Sequence, residues 1–455
     1  MNKTSRHIIL TIIFTITIIG CLPLNTSAGY LVQQGRTLLT STQQDISITA
    51  VNDISRAFVI FNHYYAAGQL DQVESNSNNG EADVACTAAF LSAVNTIQVN
   101  RDSAASNVWI DWQVIECSNQ EFEVFRDSYA WSDTDGNEIT TAIGSTVTPA
   151  DCLAWISGST SSASNTTSYE TILFRALVSS ATEISIRRSG ADADITGSLR
   201  WIVVAFDPAK IDSIQTGTTT VTNTHVETAP QQVTITAVDI SDSLLLFQMG
   251  VTSTGLDQCA VSGRLADTTT LEFYTRGTST TIRDVRYYVI DFGPACGSRQ
   301  AGTIDYSSNS GWYNHAQALS PAVTPGRTVT FTSLTQDGTG TAFVRPFPNA
   351  YIEDGSTYKI WRSRWGQESW IEWQVLELPE PLPPGFQQYS FRGRTDDADE
   401  STATWAAAAD SSWTQNVDEN FRIRFLVQET GGVPQDDKTF QLEYNWNETG
   451  WLDIT

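Results

Sequence analysis

At 455 residues the chain exceeds what one hydrophobic core covers, so about three to five domains are expected. A hydrophobic fraction of 40% excludes wholesale disorder, and a net charge of −25 repels phosphate backbones, which excludes nucleic acid as a partner. Thr, Ser, Val, Ile and aromatic residues dominate, and no long stretch carries a helical period, so the expected fold class is all-β.

Residues 1–28 read as an export signal. Lys3, Arg6 and His7 precede an apolar run from Ile8 to Gly20, which is too short to span a bilayer comfortably. Two processing sites compete. Thr26-Ser27-Ala28 places small residues where a signal peptidase cuts, and Ile18-Ile19-Gly20-Cys21 resembles a lipobox that would put a lipid on Cys21. The first is preferred. A secreted or surface-anchored location follows, with the membrane reached only through that lipid.

Four copies of one unit then follow. Val32-Gln33-Gln34-Gly35, Ile214-Gln215-Thr216-Gly217 and Arg299-Gln300-Ala301-Gly302 open three of them. The closing strands align better still: Ile110-Asp111-Trp112-Gln113-Val114-Ile115-Glu116, Leu199-Arg200-Trp201-Ile202-Val203-Val204, Val285-Arg286-Tyr287-Tyr288-Val289-Ile290-Asp291 and Ile371-Glu372-Trp373-Gln374-Val375-Leu376-Glu377. The period, roughly 85–90 residues, exceeds that of solenoids and approaches one β-sandwich. The expected architecture is tandem antiparallel β-sandwiches, beads on a string, at 29–117, 118–210, 211–297 and 298–378. A Pro-rich spacer, 379–386, leads to a C-terminal β module, 387–455, in which Phe440 to Tyr444 is expected to pair with Phe421 to Val427.

Side chains two apart on a strand share a face. Trp112, Trp201, Tyr287 and Trp373 fall on an apolar face and are expected in the sandwich cores. Asp111, Arg200, Arg286 and Glu372 fall on the other face, which is expected to meet water. Cys86 and Cys117 bracket the second half of unit one, and Cys259 and Cys296 bracket the same stretch of unit three. Two disulfides are expected, each worth about 3–4 kcal/mol in the chain-entropy account. Cys152 is left over, as a buried thiol or an intermolecular link.

The Trp-Gln-Val-Ile-Glu motif of Trp112–Glu116, with its Trp373–Glu377 copy, resembles a tandem repeat of large secreted proteins of environmental bacteria. The tail Asn420-Phe421-Arg422-Ile423-Arg424-Phe425 through Leu442-Glu443-Tyr444 resembles a module that accompanies it. The resemblance implies a cell-surface or matrix role and no catalytic residues. Unit two departs from the pattern at its opening and at Ala205. A weaker likeness is to H-type lectin sandwiches, from which no sugar-binding residue carries over.

The sequence holds no His-x-x-x-His, Cys-x-x-Cys, Gly-x-Ser-x-Gly, P-loop or dinucleotide pattern. Calcium is the one cofactor with candidate ligands. These are Asp133, Asp135, Asn137 and Glu138 around a Gly turn that equally suits a plain hairpin, and Asp396, Asp397 and Asp399. The leading functional expectation is a non-catalytic structural or adhesive protein that meets cell-surface or matrix components. A lectin-like array is the alternative, with Trp131, Trp312, Trp361 and Trp365 as glycan platforms. An accessory region of a secreted polysaccharide hydrolase is the third.

Overall fold

The computed structural model describes residues 29–66, 87–101, 107–132, 134–162, 173–188, 195–251, 260–276, 282–305, 314–336, 349–361, 369–380, 386–395, 404–405, 407–411, 421–429, 443–445 and 451–453. The chain is nearly all β. Unit one contains β1 (Tyr30–Leu39), β2 (Gln43–Ser47), β3 (Ala57–Ala66), β4 (Thr87–Ala93), β5 (Thr96–Arg101) and β6 (Asn107–Cys117). Unit two contains β7 (Phe122–Trp131), β8 (Glu138–Ala142), β9 (Cys152–Ser162), β10 (Phe174–Ser180), β11 (Glu183–Arg188) and β12 (Ile195–Phe206). Unit three contains β13 (Ser213–Val221), β14 (Gln231–Thr234), β15 (Ser243–Val251), β16 (Ser262–Asp267), β17 (Thr270–Tyr274) and β18 (Arg283–Asp291). Unit four contains β19 (Arg299–Asp305), β20 (Asn314–Ala318), β21 (Thr328–Gln336), β22 (Asn349–Asp354), β23 (Thr357–Trp361) and β24 (Ser369–Glu377).

The topology is the same four times. The sixth strand runs between the first and third, and the fifth runs between the second and fourth, all antiparallel. Each pair of three-stranded sheets encloses one apolar core. In unit one, Ile110, Trp112 and Val114 of β6 meet Ile97 and Val99 of β5 and Leu91 of β4. Trp112, Trp201, Tyr287 and Trp373 are all buried within their units, as the alternation implied.

The two recurring sequence motifs form one device. Gly35, Gly217 and Gly302 lie directly opposite Trp112, Tyr287 and Trp373 in the ladder. A β-carbon on any of the three would crowd the facing ring, so the glycine makes room for the aromatic. The Gln two positions earlier ties the first strand to the loop before the third. Gln33 donates to the Thr49 carbonyl, Gln215 to that of Thr236 and Gln300 to that of Pro321, at 2.7–2.9 Å. The closing acid caps the same loop, with Asn52 N, Asp239 N and Thr324 N donating to Glu116, Asp291 and Glu377.

The units are not separate beads. Thr26–Pro381 form one compact body. One core cluster joins Tyr30, Phe58, Ile115 and Cys117 of unit one with Val204 and Phe206, with Ile290 and Phe292, and with Leu376 and Leu378. These last pairs are the same two positions at the ends of the four closing strands. The first residues of the expected spacer belong to this body, because Leu378 is buried and the Pro379 carbonyl accepts from Tyr30 N.

The C-terminal segment, from Leu382, belongs to a second unit. There β25 (Phe386–Thr395) pairs with β26 (Phe421–Glu429), and β27 (Glu443–Asn445) pairs with β28 (Trp451–Asp453). Among the described residues these two ladders are the ones formed, and the expected pairing of Phe421–Val427 with the strand at Tyr444 is not among them; Phe440–Leu442 lie outside the described residues. Arg392 stacks 4.4 Å from the Trp405 ring in this unit. No described helix is long and apolar enough to cross a membrane.

Candidate functional site

The side chains that the sequence placed in water lie at seams between units. Asp111 and Glu372 are 3% and 4% exposed. The reason is edge-to-face packing. The third and fourth strands are sheet edges, and an uncovered edge leaves unpaired N–H and C=O groups. In each seam the outer face of one unit's first–sixth–third sheet covers that edge of the preceding unit.

The clearest covers are glutamine amides. Gln113 Nε2 donates to the Thr330 carbonyl at 3.0 Å, and Thr330 N donates back to Gln113 Oε1 at 2.8 Å. Gln374 makes the same reciprocal pair with Leu245 N and O, at 3.1 Å each. In both cases the primary amide takes the place of a neighbouring strand's peptide. Between units three and two, Gln248 Nε2 donates to the Ile156 carbonyl and Tyr288 OH donates to that of Ala176. Between units two and one, Arg126 donates to the carbonyls of Ile54 and Ala57. Units one, four, three and two thus contact in a closed cycle. Face and edge directions of a two-sheet unit are roughly 90° apart, so four such steps return to the start.

Three of the seams place different chemistry at one equivalent point. Arg200 lies 4.0 Å from the Phe90 ring. Glu372 accepts from Tyr274 OH at 2.6 Å and Thr303 Oγ1 at 2.8 Å, and pairs with Arg264 at 3.3 Å. Arg36 lies among the rings of Trp109, Trp361 and Tyr351, at 4.6–5.6 Å, and 3.5 Å from Asp111. That last distance is an ion pair and not a hydrogen bond. Burial therefore pushes the Asp111 carboxyl up to about 7, offset only in part by Arg36. Burial also raises Glu372 despite its three partners.

A carboxyl whose folded pKa lies above its unfolded value holds a proton that unfolding releases, so stability falls as pH rises through the window between them. For Asp111 that window runs from about 4 to about 7. We expect the melting temperature of the intact chain to be higher at pH 5.5 than at pH 8. Asp111→Asn should flatten the slope between these values, read by circular dichroism melts. Parallel slopes in the two proteins would remove Asp111 as a source.

Among the described residues, the remaining expected site residues do not assemble. Cys117, Cys152 and Cys296 are free thiols. Cys117 Sγ bonds the Phe122 carbonyl, Cys152 Sγ bonds that of Thr148, and burial pushes both thiols up to about 12. The proposed disulfides fail on strand geometry. Leu39 pairs with Val108, and Gln43, just across a tight turn, pairs with Asn100, beside the Arg101–Thr87 pair. Cys117 lies at the far end of β6, about 30 Å away at the strand rise, whereas a disulfide needs Cα atoms within about 7 Å. The same layout separates Ala260, the neighbour of Cys259, from Cys296. Cys86 and Cys259 themselves lie outside the described residues.

Trp131 is buried at 2% exposure against Phe174 and Arg188, so it offers no platform. Trp361 is half-buried and stacked on Arg36. Asp135 accepts from Tyr129 OH and Ser132 N, and Glu138 accepts from Ser185 and pairs with Arg187. The Asn137 carbonyl accepts from Arg188 N. Among the described residues no group of three or more acids, histidines or cysteines could hold a metal. Cys21, Asp133, Asp396, Asp397, Asp399, Trp312 and Trp365 lie outside the described residues. Scans against family models, curated proteins and solved structures return no match to this chain.

Proposed function

We propose that the chain is a secreted or surface-anchored, non-catalytic structural or adhesive protein, in which four β units act as one presenting body rather than as independent binders. One observation carries this reading. The residues that the closing strands repeat are engaged in holding the body together: Trp112 and Trp373 in cores, Gln113 and Gln374 across seams, Glu116 and Glu377 on loops. A repeated motif used this way is scaffold, and avidity then comes from the loops it carries. The leader at residues 1–28 supports export.

The test is expression of the full chain in a bacterial host, with fractionation and mass spectrometry of the mature N-terminus. Surface display and cell adhesion above that of a vector control are then measured. The expected result is a start at Gly29 or a lipidated Cys21, raised adhesion, and no turnover of polysaccharide. Retention in the cytoplasm, or hydrolysis of a polysaccharide, would overturn the reading.

A further inference from the structure

The four seams are not equally filled. The residue before the ring-facing position of each first strand is Gln34, Arg126, Thr216 or Ala301 in turn, as the ladders opposite Trp112, Trp201, Tyr287 and Trp373 fix it. Gln34 plugs its seam by donating to the Pro325 carbonyl and accepting from Ile352 N. Arg126 plugs the equivalent place with the Ile54 and Ala57 carbonyls. Thr216 leaves a shorter side chain there. Ala301 carries no polar group to cross its seam, and a cleft of about 370 Å³ opens between β16 and β19, lined by Gly263, Arg264, Glu272, Arg299, Ala301 and Glu372 among others. That volume is at the lower end for small-molecule sites.

The charges in the cleft are unequally matched. Arg264 is neutralised by Glu272 at 2.7 Å and Glu372 at 3.3 Å. Among the described residues Arg299 meets no carboxylate. Its Nη2 reaches only the neutral Gln374 Oε1, at 3.4 Å, and its buried Nε has no hydrogen-bond partner. A desolvated guanidinium with no counter-charge suits a planar carboxylate, which it can bind through two parallel hydrogen bonds. The Thr303 hydroxyl and Glu272 carboxylate nearby suit hydroxyl groups on the same ligand.

We propose that the cleft between units three and four is a binding site for a small carboxylate, held by Arg299. This goes beyond the scaffold role and does not depend on it. Titration calorimetry on the full chain with galacturonate, succinate and galactose tests it. Saturable binding of galacturonate or succinate at one site per chain is expected, and which of them binds more tightly separates a sugar acid from a plain organic acid. Galactose should not bind. Ala301→Gln gives this seam the plug that Gln34 provides in its own, and Arg299→Gln removes the charge. Each should weaken binding about tenfold or more, as loss of a charge-assisted pair implies, and Ala301→Gln should keep the melting temperature. Failure of both acids to saturate, galactose binding as tightly as galacturonate, or unchanged affinity in Ala301→Gln would overturn the assignment.

Discussion

Trp201→Ala should cost about 3–5 kcal/mol and lower the melting transition of all four units together, as expected for a large aromatic removed from a packed core. Trp201 is 2% exposed, and its cluster is the one that runs into the closing-strand ends of every other unit. A cavity there loosens the unit-two core and the central contacts at once. Trp201→Phe supplies the control. The indole Nε1 is buried without a hydrogen-bond partner, so the smaller ring loses volume but also removes an unsatisfied donor. The phenylalanine variant should therefore retain most of the stability. Differential scanning calorimetry reads both. A separate low-temperature transition for unit two alone in Trp201→Ala, with the rest melting as wild type, would show that the shared core does not couple the units.

What the sequence made legible, and what it hid, divides along one face of one strand. The inward face of each closing strand repeats because each unit buries a large ring there, opposite a glycine in units one, three and four and opposite Asp127 in unit two, and alternation exposes the repeated ring directly. The outward face varies, as Asp111, Arg200, Arg286 and Glu372, and variation with charge resembles a solvated surface. Its burial comes from another unit's edge some tens or hundreds of residues away, which no local period records. Gln113 bonds Thr330 for this reason. A weak signal was present, since two glutamines and two acids recur at matched positions in units one and four only, the two with the Trp-Gln-Val motif. The cysteines misled for a related reason. Bracketing a segment in sequence says nothing about which end of a long strand a residue occupies, and β6 is long enough to carry Cys117 across the whole unit. The β25–β26 ladder is hidden in the same way, because its two strands join across an intervening stretch that no local period bridges.

A chain that stops after residue 297, and so lacks unit four, should not remain a monomer. The cycle leaves every covering face and every covered edge matched to a different unit, which makes the seams heterologous. Without unit four, the outer face of unit one loses the partners of Gln34, Arg36 and Gln113, and the edge of unit three loses the cover on Leu245 and Gly263. The central cluster also loses Val329, Leu376 and Leu378. The bare edge invites strand addition, and the bare face is the kind of surface that covers such edges. Three units leave about one quarter of the turn open, so the free face of one molecule meets the free edge of another and growth need not close. Size-exclusion chromatography with light scattering over a concentration series should show oligomers that grow with concentration, while the intact chain shows no such growth. A three-unit chain that elutes as a monomer and melts at the temperature of the intact chain would mean that the seams contribute little, and that each unit is sufficient by itself.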